Sequence, residues 1–251
     1  MEPRELCVIF DQPRLLATTE ERAHLIESLR PLSHADIMLA LGAPGVLYLE
    51  DYTDLAILRA WARVLDHPAR DLLTTRLFWK RTVVEPRPGA PGVRARDHYV
   101  ALRLVRDDLP ALELVDGDAR PEIQSTDITG RGFQRLRWRR YEIESYLIHP
   151  DVLARFVEQT VGAAAAPHLA DLRRHLEEDY APAILRDPLG DHAFLETTKA
   201  RTRLLPPALS AAGLPGLPYT RYHEIAAVMR PDEIHPEVVE KLDGIMRAFG
   251  L

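Results

Sequence analysis

Cysteine is almost absent from the sequence, because Cys7 is the only one. A single cysteine can form neither an internal disulfide nor a cysteine-based zinc site, and it is typical of a reducing compartment. Long apolar runs are also missing, since none approaches the roughly 20 residues of a membrane helix. The amino terminus lacks the basic-then-apolar order of a signal peptide. We therefore predict a cytoplasmic protein that makes no contact with a membrane.

A phosphate-binding loop of the form G-x-x-x-x-G-K followed by Ser or Thr is missing as well. Its absence argues against nucleotide binding of the P-loop kind by this chain. The 251 residues are enough for one sizeable core, or for one core with a helical annex. The net charge of −6 argues against a wholly basic nucleic-acid binder, but it allows a local basic groove that faces an acidic centre.

Two short apolar stretches, residues 46–49 and 112–115, end in acidic residues. Each is followed by a segment that is able to turn back as a helix. This order is typical of buried strands that deliver carboxylates to the carboxyl edge of a parallel sheet. Because carboxylates held that close raise one another's pKa, a divalent metal between them is the simplest remedy. The four carboxylates are those of Glu50, Asp54, Asp116 and Asp118.

Helix and strand signals alternate along the rest of the chain. Capping-box spacings over residues 18–21 and 33–36 predict two helices before the first acidic strand. Further strands are predicted over residues 77–84 and 134–139, with apolar residues at helical spacing between the strands. Strands that alternate with helices imply a mostly parallel sheet with right-handed crossovers.

The predicted fold class is therefore α/β, with a mostly parallel sheet flanked by helices. A helical lead-in is predicted over residues 1–42, and the core is predicted over residues 43–165. A C-terminal helical region is predicted over residues 166–251.

Arginines alternate with apolar residues over residues 134–139. The alternation predicts a half-buried strand with a cationic outer side, formed by Arg135, Arg137 and Arg139. A predicted loop over residues 85–96 is rich in proline, glycine and arginine. Its arginines are Arg87, Arg94 and Arg96.

The acidic motifs, taken together, resemble a known family. The order Glu-x-x-x-Asp after one strand and Asp-x-Asp after another is similar to the Toprim fold of topoisomerases, primases and several nucleases. Within that superfamily, three phrases resemble the OLD family of ATP-dependent nucleases, and the likeness extends over most of the chain after residue 40. The three phrases are Ala43 to Glu50, Arg140 to Leu147 and Lys199 to Arg201.

The resemblance implies a Toprim nuclease with two Mg²⁺ or Mn²⁺ ions, which in such sites lie about 3.5 to 4 Å apart. It adds Glu142 and Glu144 to the ligand pool. Because these two would point to opposite sides of a helix, we expect only one of them, Glu144, to reach the ions unless the segment is extended. Lys199 would stabilise the charge of the transition state.

These implications give a full set of predicted site residues. The metal ligands are Glu50, Asp54, Asp116, Asp118, Glu142 and Glu144, the catalytic residues are Glu50, Asp116 and Lys199, and the DNA-binding residues are Arg94, Arg96, Arg135, Arg137 and Arg139. The arginines would hold the DNA backbone without reading bases.

The resemblance also implies partners and a biological role. The substrate would be DNA, and an ABC-type ATPase domain would act with this domain, in the same longer chain or as a separate subunit. The role would be anti-phage defence or DNA processing, and a homo-oligomer is left open. One departure is Asp51, where the family usually has glycine. This residue either adds a fifth acid near the site or reduces the freedom of the turn.

Each motif also has a simpler structural interpretation. The acids after the first strand can stabilise a helix N-terminus, and those after the second can form a turn. The two later glutamates can pair with neighbouring arginines, Lys199 can be an ordinary surface lysine, and the arginine face can protect a sheet edge. The alternative functions are a Toprim module without catalysis that regulates an ATPase, and strand transfer of the topoisomerase or primase kind.

Overall fold

A five-stranded sheet organises the structure, a computed structural model that describes residues 6–9, 12–15, 18–85, 89, 91–118, 126–127 and 132–251. Two further sheets each consist of two antiparallel strands. The strands are β1 (Leu6–Ile9), β2 (Gln12–Leu15), β3 (Val46–Leu49), β4 (Phe78–Arg81), β5 (Val83–Val84), β6 (Val93–Arg94), β7 (Ala111–Val115), β8 (Thr126–Asp127) and β9 (Phe133–Arg137).

Helices connect and cover the strands. The α-helices are α1 (Thr19–Leu29), α2 (His34–Gly42), α3 (Tyr52–Val64), α4 (Ala69–Asp71), α5 (Ala95–Leu102), α6 (Pro150–Val161), α7 (Ala165–Asp179), α8 (Pro182–Arg186), α9 (Ala193–Thr197), α10 (Leu205–Ala211), α11 (Tyr222–Ala227) and α12 (Pro236–Ala248). Short turns of 3₁₀-helix are Ile143–Leu147, Gly162–Ala164, Tyr219–Arg221 and Pro231–Glu233, and turns of π-helix are Leu72–Arg76 and Ala200–Leu204. No helix in the described ranges has the length and apolar character needed to cross a membrane.

The order of strands across the main sheet is β4-β3-β7-β9-β8. The first four are parallel to one another, and β8 pairs antiparallel at the edge. The residues of β3 are all buried, as expected for a central strand whose two faces are both covered. The predicted α/β class, with a mostly parallel sheet flanked by helices, is confirmed.

Successive residues of β3 enter two separate hydrophobic cores. Leu47 joins a large core that includes Trp61 and Trp138, whose rings lie 6.5 Å apart, whereas Tyr48 joins a smaller core with Phe133. Side chains alternate between the faces of a sheet, so one strand supplies both cores. The large core extends along the chain from residue 47 to residue 249. Helices beyond residue 165 pack into the same core as the sheet. The domain boundary predicted at residue 165 stays a prediction.

Three helices begin with capping boxes. The boxes formed by Thr18 with Glu21 and by Ser33 with Asp36 start α1 and α2, which confirms the two predicted helix starts. The strands β1 and β2, in contrast, pair antiparallel, so the described part of the predicted lead-in is helical only from Thr19. The predicted loop over residues 85–96 also differs, because β6 and the start of α5 lie within it.

Asp36 also belongs to a buried charged group that joins four elements. Its Oδ1 lies 2.6 Å from Nζ of Lys80, and its Oδ2 lies 3.4 Å from Nε2 of His98. Nδ1 of His98 shares a hydrogen bond of 2.8 Å with the hydroxyl of Tyr48. These four residues, called the Asp36 cluster below, tie α2 and α5 to the strands β3 and β4.

Candidate functional site

Glu50 and Asp116 meet at the carboxyl ends of adjacent parallel strands. The backbone N–H of Asp116 donates to Oε1 of Glu50 over 3.4 Å. Since β3 and β7 pair in register and end at the same edge, the residues that follow them are neighbours. The two acids that the sequence predicts to converge therefore do so.

Asp54 lies in the first turn of α3 and completes a third capping box. Its Oδ2 accepts a hydrogen bond of 3.1 Å from the backbone N–H of Asp51, and Asp51 itself caps the helix. Asp54 is nevertheless buried beside the site. Burial first, and the charge of Glu50 with it, raise the pKa of Asp54 to about 6. The helix-start interpretation of Asp54 is thus confirmed, and its role as a metal ligand stays a prediction.

Glu142 and Glu144 approach Asp116 from the segment that follows β9. Glu142 is extended, Glu144 lies in the first turn of the 3₁₀-helix, and the N–H of Ile143 between them donates to Oδ1 of Asp116 over 3.3 Å. Both glutamates are buried, and the charges of both act on Asp116. Both glutamates therefore lie near Asp116, and the expectation that only Glu144 of the two would reach the ions stays a prediction.

Five carboxylates, three of them buried and two half-buried, therefore share one region, called the acid site below. Burial, then the charges of the other four acids, raise the pKa of Asp116 well above its usual range. Burial, with the charges of Glu142 and Asp54, raises the pKa of Glu144 to about 8. The negative charge of the region is therefore only partly balanced. The acid site consists of Glu50, Asp54, Asp116, Glu142 and Glu144.

The chemistry of the acid site fits a hard divalent cation, which prefers carboxylate oxygens. Oε1 of Glu144 is buried and accepts no hydrogen bond in the structure, although such an atom ordinarily has a partner. Across the described ranges, however, no three or more Asp, Glu, His or Cys side chains are grouped as ligands of one ion. The acids are thus close enough to repel one another, but they do not form a completed ligand set.

Gly117 explains how the two acidic segments come together. A Cβ atom at this position would lie 2.1 Å from the carbonyl oxygen of Arg140 and 2.6 Å from that of Trp138. Only glycine allows the chain after Asp116 to pass so close to the segment that leads to Glu142. Asp118, beyond this glycine, is half-buried, and its role as a metal ligand stays a prediction.

The predicted arginine face of β9 is largely engaged by acids of the protein itself. Arg135 pairs with Glu113 of β7, and Arg139, just beyond the strand, lies 3.2 Å from Glu237. Two of its three arginines therefore do not form the freely cationic outer side that the alternation predicts. Arg94 and Arg96 are exposed, and Arg87 lies outside the described residues. DNA binding by the five predicted arginines stays a prediction.

Arg201 lies beside the acid site on the π-helical turn Ala200–Leu204, and Lys199 directly precedes this turn. Lys199 is exposed, with Nζ 5.6 Å from the ring centre of Tyr141, and its catalytic role stays a prediction. The backbone N–H of Arg201 donates to Oε1 of Glu142, and its Nε lies 3.7 Å from Oε1 of Glu144. The interpretation of the sequence gave Arg201 no role. The only signal for it is its place in the phrase Lys199 to Arg201.

Comparison with known proteins finds similar solved structures, whereas neither a protein-family model nor a curated protein matches the chain. The C-terminal region of the Burkholderia pseudomallei OLD protein is 16% identical with a TM-score of 0.43, over 82% of this chain and 98% of that one. The C-terminal region of the Xanthomonas campestris pv. campestris OLD protein is 13% identical with a TM-score of 0.42, over 83% and 96%. Similarity at this level assigns no activity to this chain.

Proposed function

We propose that this domain is a nuclease that hydrolyses phosphodiester bonds in DNA with Mg²⁺ or Mn²⁺ at the acid site. The observation that carries the proposal is the convergence of five carboxylates, three of them buried and two half-buried, with raised pKa values at Asp54, Asp116 and Glu144. Buried charge of one sign that the protein leaves partly unbalanced is a marker of functional sites. Divalent cations would supply the missing charge, activate water and relieve charge on the reacting phosphate.

The residues of the acid site would divide these tasks by position. Glu50 and Asp116 end adjacent strands and would hold a cation between them, while Glu144 would contribute its buried Oε1. Asp54 is fixed by its capping bond and would keep one oxygen directed to the site. Lys199, on the exposed side, would oppose the negative charge that builds up on the phosphate.

Supercoiled plasmid tests this function directly. Incubation with Mg²⁺ or Mn²⁺ is expected to give nicked circles, and EDTA is expected to prevent them. Glu50→Gln removes one charge of the acid site without a change of size, whereas Asp66→Asn, at the far end of α3, serves as the control. Absence of nicking with either metal, or equal nicking by Glu50→Gln and the parent, would contradict the proposal.

A second candidate is a Toprim module without catalysis. It is favoured by the absence of a completed ligand set among the described residues. Retained binding of Mn²⁺ without any nicking would distinguish this candidate from the nuclease. The cytoplasmic location, the role in phage defence and the ATPase partner stay predictions.

A further inference from the structure

Asp51 lies between two arginines at the outer side of the acid site. Its Oδ1 accepts a hydrogen bond of 2.9 Å from Nη2 of Arg81, and its Oδ2 lies 3.6 Å from Nη2 of Arg201. The two arginines come from different elements, the end of β4 and the π-helical turn. Their side chains are 59% and 27% exposed, whereas that of Glu144 is 2% exposed. The cations thus form an outer layer over the acids.

Arg201 is oriented firmly but paired loosely. Its Cζ lies 3.8 Å from the ring centre of Tyr219, so the planar guanidinium stacks on an aromatic face. Its distances of 3.6 and 3.7 Å to Asp51 and Glu144 exceed the usual hydrogen-bond range of about 2.7 to 3.2 Å. Arg155, in contrast, binds Glu233 through two hydrogen bonds of 2.7 and 2.6 Å. Arg201 is therefore able to exchange an acid for another anion with little rearrangement.

An open groove that includes Arg81 in its lining lies along the edge strand β4 and the residues that follow it. Its volume is about 410 Å³. Lys80 in this groove is already paired with Asp36, so Arg81 is the lining arginine that connects the groove to Asp51. The groove is lined by Trp79, Lys80, Arg81, Val83, Val84 and Glu85.

We propose that Arg81 and Arg201 form a clamp for the phosphate backbone of DNA at the entrance of the acid site, and that Asp51 holds both guanidinium groups until the phosphate arrives. This proposal rests on the proposed function, because it names how the substrate is held beside the acids. A guanidinium matches the geometry of a phosphate and binds it through two parallel hydrogen bonds. Backbone contacts of this kind position DNA without reading its sequence.

Binding of a nuclease-resistant phosphorothioate DNA duplex, followed by fluorescence anisotropy in Mg²⁺ over a range of KCl concentrations, tests the clamp. Arg81→Gln and Arg201→Gln are each expected to weaken binding about tenfold, as for a lost charged hydrogen bond. Each is expected to reduce the salt slope by about 0.9, as for one lost phosphate contact. Arg201→Gln keeps the backbone N–H that donates a hydrogen bond to Glu142. The control is Arg63→Gln, an exposed arginine about 18 Å from Asp51 along α3, and it is expected to bind as the parent does.

Asp51→Asn is expected to change the affinity for DNA in the opposite direction. Asparagine caps a helix as well as aspartate does, so α3 is retained while the charge that holds the arginines is removed. Binding is expected to tighten about fivefold, by analogy with the loss of one repulsive charge near a phosphate. Its control is Asp66→Asn, which is expected to leave affinity unchanged. A purely structural role for Asp51 and the two arginines would weaken binding in all three variants or in none.

Several results would overturn the clamp. These are a parent protein that does not bind DNA, arginine variants that bind as Arg63→Gln does, or weaker binding by Asp51→Asn with an unchanged circular dichroism spectrum. If Arg201→Gln fails to fold, Arg201→Lys keeps the charge but loses the planar stack, and affinity between those of the parent and Arg81→Gln is expected. A parent that binds through these arginines but never nicks plasmid would disprove the hydrolysis alone. A parent that nicks while its arginine variants bind normally would disprove the clamp alone.

Discussion

The Asp36 cluster and the acid site are both buried in the same sheet domain, but burial affects their acids in opposite directions. Burial alone would raise the pKa of Asp36, yet His98, Lys80 and Ser33 hold it well below its usual range. The pKa of Glu144, which is shielded from solvent to a similar extent, rises to about 8, because burial raises it, the charges of Glu142 and Asp54 add to the rise, and Arg201 offsets only part of it. Asp36 and Glu144 therefore differ in the charged residues around them and not in how deeply they are buried.

This contrast separates a charged group that the protein balances itself from one that it leaves partly unbalanced. In the Asp36 cluster each charge has a partner supplied by the protein, so the group can stabilise the fold on its own. In the acid site, Arg201 is the arginine that the described part of the chain places within 4 Å of Glu144, and it is loosely paired. Under the proposed function, a bound cation would supply the missing positive charge. Four changes to the protein or its solvent would break or sharpen this distinction.

Asp116→Asn is expected to have the largest effect. Nicking is expected to fall by about two to three orders of magnitude, comparable to the loss of one group that stabilises a transition state. The metal-free protein is expected to melt at a higher temperature than the parent, because one of five crowded acids has lost its charge. Plasmid nicking and thermal denaturation in EDTA measure the two effects. A lower melting temperature with normal nicking would remove the distinction between the two groups.

Asp36→Ala is expected to give the reverse pattern. It leaves Lys80 and His98 without their acid and removes a capping box, so the free energy of unfolding is expected to fall by about 3 kcal/mol. Nicking per folded molecule is expected to stay at the parent level. Urea denaturation gives the first quantity, and plasmid nicking at a temperature where the variant is folded gives the second.

Gly117→Ala tests how the two acidic segments are held together. The added methyl group would overlap the carbonyl oxygens of Trp138 and Arg140, so a loss of about 2 kcal/mol in stability and weaker nicking are expected. Gly42→Ala is the matched control, because nothing lies within 4 Å of the new Cβ there. Equal stability of the two variants in urea would contradict the close approach.

The pH dependence of stability gives the smallest and most graded effect. The pKa of Glu144 is about 8 in the folded protein, against 4.5 as the ordinary value, so the folded state binds more protons between these values. The free energy of unfolding in EDTA is therefore expected to fall as pH rises from about 5 to about 8, by up to about 1.4 kcal/mol per pH unit. Asp36 contributes the opposite way and only below its ordinary pKa, where its stabilisation is lost as pH falls.

Urea titrations at several pH values measure this slope, and Glu144→Gln is expected to flatten it. Added Mn²⁺ is expected to flatten it too, since a cation favours the ionised acid. A stability that rises with pH over this range in EDTA would contradict the unbalanced charge of the acid site.

Local signals in the sequence predicted much of this arrangement. The capping boxes at Ser33 and Thr18, and the fully apolar run before Glu50, depend on residues that are close in the chain, so a pattern suffices to find them. The convergence of Glu50 with Asp116 followed from one rule, that the carboxyl ends of parallel strands share an edge.

Ion pairs between residues that are far apart in the chain could not be predicted from the sequence, for a physical reason. Arg139 pairs with Glu237, which lies almost a hundred residues later in the chain. Arg135 pairs with Glu113 only because β7 and β9 are neighbouring strands. No spacing rule encodes such contacts, since they depend on which elements the fold places together. Arg201 belongs to the same class, because its approach to the acids depends on the packing of the final third of the chain.

The packing of Phe249 has a consequence for how the protein is made. A Cβ atom added to Gly45 would lie only 2.4 Å from the ring of Phe249. The ring is buried in the large core, whose first residue along the chain is Leu47. While only the strands of the sheet have emerged from the ribosome, this core still lacks its contact with Phe249. Final closure of the core therefore waits until Phe249 has left the exit tunnel, and chaperones that shield apolar surface would act during that interval.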